Sequence, residues 1–147
     1  MNSNDSSLES VGISLAAEHP LRILVVEDNT INLHVLLTIL RRFGYEPLIA
    51  KNGLKAVEIY KATLLDCIFM DMHMPKMNGL EATTIIRDIE YISGSKHPVF
   101  ISALTADASG IYQQDFLDAG INDYLSQPIS RSSLAEILIK ASTASKK

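Results

Sequence analysis

Five polar residues stand at the ends of four short runs of the chain. Glu27 and Asp28 follow residues 21–26, Asp71 closes 67–71, Thr105 follows 99–104 and Gln127 follows 123–126. Asp28 and Asp71 are 43 positions apart, so only a fold that returns the chain to one place can join them. If it does, three carboxylates share a crevice, and their mutual repulsion has to be relieved by a cation. Hard carboxylate oxygens suit Mg²⁺, which binds through one or two protein carboxylates and keeps several of its waters. A single acid at a strand end is commonly a solvated turn residue. Three at one edge, with a hydroxyl beside them, are not accounted for that way.

What must position these residues is a parallel sheet. Short apolar runs alternate with amphipathic stretches, the pattern of parallel strands joined by crossover helices. Strands are predicted over residues 21–26, 46–50, 67–71, 99–104 and 123–126, and the first, third and fourth read as buried on both faces. Helices are predicted over 30–43, 54–62, 80–91, 108–119 and 132–142, with Gly44 and Gly120 as stops and Ser130, after Pro128, as an entry signal. The fold class is α/β, a (βα)5 doubly wound five-stranded parallel sheet. Right-handed crossovers put helices on both faces, and such sheets bind ligands at the carboxyl ends of their strands. That is the edge where the five polar residues stand.

A chain of 147 residues is long enough for one domain with a single core. With 47% hydrophobic and 20% charged residues it is neither a disordered acidic tail nor a fibrous repeat. A net charge of −4 leaves no concentrated basic face for a phosphate backbone, so nucleic acid is not expected as a partner. The one cysteine, Cys67, cannot form an internal disulfide, which favours a reducing compartment. No apolar stretch approaches the roughly 20 residues of a membrane span, and the start lacks the basic-then-apolar pattern of a secretion signal. A cytoplasmic location follows, with the nucleus also open. Residues 1–20, rich in Ser, Asn and Glu and ending at Pro20, read as a flexible N-terminal tail, 21–142 as the folded domain and 143–147 as a C-terminal tail.

Four segments resemble, in order and spacing, the signature of two-component response-regulator receiver domains. They are Val26-Glu27-Asp28-Asn29, Met70-Asp71-Met72-His73-Met74-Pro75-Lys76-Met77-Asn78-Gly79, Ala103-Leu104-Thr105-Ala106 and Gln127-Pro128. The resemblance covers about residues 21–141 and implies the flavodoxin-like receiver fold. The form Glu-Asp-Asn-x-x-Asn at 27–32, with Phe43-Gly44-Tyr45 and Asn52-Gly53, is more similar to receivers of hybrid histidine kinases than to stand-alone chemotaxis receivers. In such a domain Asp71 would be the phosphoacceptor, a carboxylate nucleophile that takes a phosphoryl group from a phosphohistidine and forms an acyl phosphate. The resemblance assigns Mg²⁺ to Asp28 and Asp71, with Glu27 through water and the backbone carbonyl of His73. It assigns phosphoryl binding to the Thr105 hydroxyl and the Ala106 N–H. The cation is needed because a phosphoryl group in transfer carries spread negative charge that an attacking carboxylate would otherwise meet. Thr105 and Tyr124 form the implied switch. Drawing Thr105 inward opens space for Tyr124 to fill, which reshapes the face made by 108–119, 123–126 and 132–142 and offers it for homodimerisation. The implied partner is a histidine kinase or a histidine-containing phosphotransfer protein. The implied chemistry is self-phosphorylation and autodephosphorylation rather than enzymatic turnover.

The family carries Lys before this proline, where the chain has Gln127. A Gln amide donates a hydrogen bond but brings no charge, so transition-state stabilisation falls and coupling to the Thr105 and Tyr124 switch weakens. The Gln127-Pro128 bond resembles one that is cis in the family. Two functions stay open: phosphoryl acceptance on Asp71, and a pseudo-receiver that binds a partner without phosphate chemistry. A haloacid dehalogenase-type phosphatase wants a second Asp where His73 stands, and a flavin carrier wants a Ser/Thr-rich loop where Glu27 and Asp28 stand. The helix at 30–43 carries Ile31, Leu33, Val35, Leu36, Leu37, Ile39 and Leu40, more apolar surface than one core-facing stripe requires. Some of it points outward beside the crevice, where a phosphotransfer or kinase helix bundle would dock.

Overall fold

The computed structural model describes residues 14–74, 77–106 and 113–145. Residues 1–13 of the expected tail, Pro75 and Lys76 of the second signature segment, and the start of the helix expected from Ala108 lie outside the described residues. Strands β1 (Ile23–Val26), β2 (Leu48–Ala50), β3 (Cys67–Asp71), β4 (Phe100–Thr105) and β5 (Asp123–Ser126) form one parallel sheet in the order β2-β1-β3-β4-β5. The chain steps from β1 out to β2, then back past β1 to β3, so the sheet's direction of growth reverses between β1 and β3. That reversal opens a crevice at the carboxyl edge. Among the described residues there are six helices: α1 (Leu15–Glu18), α2 (Thr30–Arg42), α3 (Gly53–Ala62), α4 (Gly79–Ser93), α5 (Gln113–Ala119) and α6 (Arg131–Ser145).

Alternation along each strand sends side chains to two cores. Val25, Phe69 and Leu104 meet Leu36 and Leu40 of α2 and Leu134 and Leu138 of α6. Leu24, Ile68, Met70 and Ile101 meet Ala56 of α3, Ala82 and Ile86 of α4 and Phe116 of α5. Both faces of β1, β3 and β4 are therefore buried, which is why these strands are continuous apolar runs. Edge strand β2 leaves Leu48 and Ile49 exposed and is correspondingly the weakest signal. Cys67 is fully buried, and burial pushes its thiol up, away from reactive thiolate chemistry. Helix starts are written in asparagine: the side chains of Asn29, Asn52 and Asn78 accept the N–H groups of Asn32, Lys55 and Glu81, and Glu81 reaches back to Asn78 in a capping box. No helix among the described residues is long and apolar enough to cross a membrane.

The structure corrects the tail boundaries. Residues 15–18 form a helical turn, with Ser14 as its N-cap, and Leu15 is buried against the α2–α6 core. The cause lies in the turn after α2. Gly44, at φ +100°, donates to the Arg41 carbonyl while Tyr45 donates to that of Leu40, the closing pattern of a helix that ends in a left-handed residue. A side chain at Gly44 would also collide with Ser14 and Ala16, so this glycine makes the room in which α1 docks. The Ala16 N–H then donates to the Phe43 carbonyl at 2.9 Å, and the Tyr45 hydroxyl to the His19 carbonyl at 2.7 Å. At the other end α6 runs to Ser145, three residues into the expected C-terminal tail, because Ala141 and Ser142 are buried and hold that turn on the sheet.

Candidate functional site

The registers Val26 to Met70, Asp71 to Leu104 and Thr105 to Ser126 bring the strand ends to one edge. There Glu27, Asp28 and Asp71 each offer a carboxylate oxygen, all within 4.8 Å of one another. Two of the three carboxylates accept a backbone N–H. Glu27, 2% exposed, donates its N–H to the Ala50 carbonyl at 3.1 Å, and its Oε2 accepts the Asn29 N–H at 3.2 Å. Oδ1 of the half-buried Asp71 accepts the His73 N–H at 3.0 Å. Asp28 is exposed at the mouth. Behind Asp71 stands Gly79, the first residue of α4; a Cβ there would strike the Asp71 carbonyl oxygen and the Met72 side chain. The helix can start directly against Asp71's own peptide only because this residue has no side chain.

The electrostatics of the cluster are unfavourable as they stand. Burial pushes the Glu27 carboxyl up to about 8; its hydrogen bond to Asp71 and the charges of Asp71 and Asp28 push the same way, against the Asn29 N–H. A carboxyl that holds its proton at neutral pH beside two others marks a crevice short of positive charge. Three hard oxygens held this close are the donor set of Mg²⁺, and the ion's charge would return Glu27 to its anionic form. The residues present therefore fit the ion.

Across the crevice Thr105, buried at the end of β4, offers its carbonyl to the Gln127 N–H at 2.9 Å. Ala106 follows in an exposed bend. Gln127 is half-buried, and its bond to Pro128 is cis, as the resemblance implied. Tyr124 lies two residues before Ser126 on β5 and is 38% exposed. His73 is exposed at the rim, and its N–H donates to Asp71 Oδ1. On α2, Ile31 (74% exposed) and Val35 (42%) lie one turn apart on the solvent side, which bears out the outward apolar surface expected of this helix. Asn29 and Gly79 are positioning residues that the reading of side-chain chemistry passed over. Both were signalled by helix-start chemistry: an Asn three residues before a capped N–H, and Asn78-Gly79 followed by Glu81.

Comparison with known proteins agrees with this geometry. The response regulator receiver domain family matches residues 23–139. Hybrid signal transduction histidine kinase I of Dictyostelium discoideum is 38% identical over 143 residues, which is 94% of this chain and 8% of that protein. The osmolarity two-component system protein SSK1 of Saccharomyces cerevisiae is 36% identical over 132 residues, 75% of this chain and 18% of that protein. The chain thus spans a small part of the length of these relatives. Among solved structures, the yeast Ssk1 receiver domain, crystallised with the histidine phosphotransfer signalling protein Ypd1, superposes with a TM-score of 0.79 at 38% identity, covering 84% of this chain and 89% of that one. The receiver domain of the Pseudomonas aeruginosa sensor histidine kinase PA1611, with a magnesium ion coordinated in its active-site cleft, gives 0.73 at 35% identity, covering 84% and 98%. Matched over most of its length by family, by relatives and by fold, the chain belongs to the response regulator receiver domain family.

Proposed function

We propose that the domain accepts a phosphoryl group on Asp71 from a phosphohistidine of a histidine kinase or phosphotransfer protein, with Mg²⁺, and thereby switches its interaction surface. The observation that carries this reading is the convergence of Glu27, Asp28 and Asp71 within 4.8 Å at the switch point of the sheet. In the transfer, a carboxylate oxygen of Asp71 bonds to phosphorus as the N–P bond breaks, and the imidazole nitrogen leaves with the electron pair and takes up a proton. Asp28 and Asp71 would hold Mg²⁺ directly, with Glu27 through water and the His73 carbonyl; bound there, the ion screens the carboxylates from the phosphoryl oxygens. The His73 N–H on Oδ1 fixes the plane of the Asp71 carboxylate. The Thr105 hydroxyl and the Ala106 N–H would receive the phosphoryl oxygens. The exposed pair Ile31 and Val35 on α2 supports docking of a donor helix bundle beside Asp28. The face of α5, β5 and α6, where Leu117, Tyr124 and Ile139 are exposed, would change partners on phosphorylation, a second copy of this domain among them. This reading places the domain where phosphohistidine proteins work, in the cytoplasm or the nucleus.

Gln127 favours a second reading, a pseudo-receiver that binds its partner without phosphate chemistry. Incubation with phosphorylated Ypd1 and Mg²⁺, followed by intact mass and peptide mapping, separates the two. The expected result is a phosphoryl adduct on Asp71 that is absent in Asp71→Asn. Binding of Ypd1 with no adduct would establish the pseudo-receiver instead.

A further inference from the structure

We propose that this receiver draws its phosphoryl group from a protein donor that brings a cation of its own into the crevice, and that small phosphodonors serve it poorly. The inference rests on the phosphoacceptor reading of Asp71 and names the donor class for that site.

The cluster of Glu27, Asp28 and Asp71 concentrates negative charge at one point. One divalent cation does not neutralise three carboxylates, and the incoming phosphoryl group adds further negative charge at the moment of transfer. At the same edge, just after β5, stands the half-buried Gln127, whose backbone N–H is bonded to the Thr105 carbonyl at 2.9 Å and whose side chain is an uncharged amide. Of the thirteen Lys and Arg residues, Arg22, Arg41, Lys55, Arg87 and Lys140 are bonded to carboxylates outside the crevice. Beside the acidic mouth, meanwhile, lies an apolar surface. Ile31 and Val35 stand on α2, whose first residue follows Asp28 by two, and both are exposed.

An apolar ridge next to a crevice of excess negative charge is complementary to a partner with an apolar face and a basic residue at its edge. Apolar contact would supply the binding energy, and that energy holds the basic side chain over the phosphoryl oxygens, where charge matters most in the transition state. The atoms exchanged are those of the ordinary transfer: an Asp71 oxygen bonds to phosphorus, the N–P bond of the donor's phosphohistidine breaks, and the imidazole keeps the electron pair and is protonated by solvent. The partner's cation is unchanged by the step. A small donor such as acetyl phosphate carries neither the docking face nor the cation, so for it the charge must come from the receiver.

The test compares the native domain with Gln127→Lys for two donors, acetyl phosphate and phosphorylated Ypd1, each with Mg²⁺, reading the initial rate of Asp71 labelling by intact mass. A cation restored within the receiver should speed labelling by acetyl phosphate at least about tenfold, the scale on which a single oriented electrostatic contact acts, and change the rate from Ypd1 by less than about threefold. A second readout needs no chemistry. In EDTA, Gln127→Lys should bind unphosphorylated Ypd1 several-fold more weakly, since two cations then compete for one acidic crevice, and Gln127→Ala should bind it as the native domain does. Equal acetyl phosphate rates in the native and Lys forms would overturn the proposal. So would the same tenfold gain from both donors, labelling by acetyl phosphate alone, or Ypd1 binding that Gln127→Lys leaves unchanged. If neither donor labels Asp71 in either protein, it is the phosphoacceptor reading itself that fails.

Discussion

Asp71 and Glu27 are carboxylates of one cluster at different depths, and burial pushes the Glu27 carboxyl up. Glu27 is enclosed and held near neutrality by its surroundings, while Asp71 is half-buried at the mouth. Residue types and order disclosed which side chains meet, because carboxylates after apolar runs can be counted along the chain. They did not disclose that Glu27 is the enclosed one, since Glu27 and Asp28 are adjacent acids, and which of them turns inward depends on the pleat of β1. The cluster's repulsion makes a sharp prediction. Asp71→Asn keeps the size of the side chain and removes one charge, so the metal-free variant should be more stable than the native domain, by on the order of 1 kcal/mol. Mg²⁺ should reverse the ranking. At a hundredfold excess over its dissociation constant it adds about 2.7 kcal/mol to a protein that binds it only when folded, and it should add far less to the variant. Urea unfolding of both proteins, with EDTA and with Mg²⁺, measures this. A native domain indifferent to Mg²⁺ would mean that the carboxylates do not form an ion site.

Elements were legible where a pattern extends over two or more turns, and illegible where a few residues act through distant partners. The central strands follow from their apolar runs, and the ends of α2 and α5 from Gly44 and Gly120. Helix α1 has four residues and no periodicity, and only the space over Gly44 gives it a place to pack. Leu15→Ala should therefore cost about 2 kcal/mol, the low end for a Leu truncation because the site is at the rim of the core; a flexible tail would show no change in the urea midpoint. Arg87, on α4, is not singled out by the sequence reading. In the fold it lies between α4 and the end of α5, donating to the Gly120 and Val99 carbonyls, to Asn122 Oδ1 and, at 2.7 Å, to the buried Glu90. Glu90 in turn accepts the Val99 N–H at 2.7 Å and the Tyr60 hydroxyl at 3.3 Å, so α3, α4, α5 and the start of β4 meet in one polar knot. Arg87→Met leaves Glu90 buried without its cation and should destabilise by about 3 kcal/mol or more. Adding Glu90→Leu should recover part of the loss, and a double variant no more stable than the single one would show that Arg87 acts through its carbonyl contacts instead.

At the scale of the whole molecule the question is how an event at the crevice reaches the face of α5, β5 and α6. The sheet order follows from right-handed crossovers, and it sets Thr105 opposite Ser126 and Ala103 opposite Tyr124. Because side chains alternate, Thr105, Ala103 and Tyr124 share the face of the sheet that α5 covers, and Ala103, which stands on β4 opposite Tyr124 and two residues before Thr105, is small and buried. Little therefore bars Tyr124 from moving over Ala103 once the Thr105 side chain is drawn toward a phosphoryl group. Tyr124 is 38% exposed in this structure and borders a hollow of about 120 Å³ lined by Phe116, Leu117 and Ile121, so it starts outside. Phosphorylation of the native domain should bury its ring. Thr105→Ala keeps the nucleophile and the acids, so it should still be labelled on Asp71, more slowly by about tenfold or more for the lost hydroxyl, but Tyr124 should stay where it is. Ring and amide NMR signals of Tyr124, recorded before and after labelling in both proteins, decide the point. Equal shifts in the two would send the signal by a route other than Thr105, and no shift in either would mean that Gln127 leaves the domain able to take a phosphoryl group but not to transmit it.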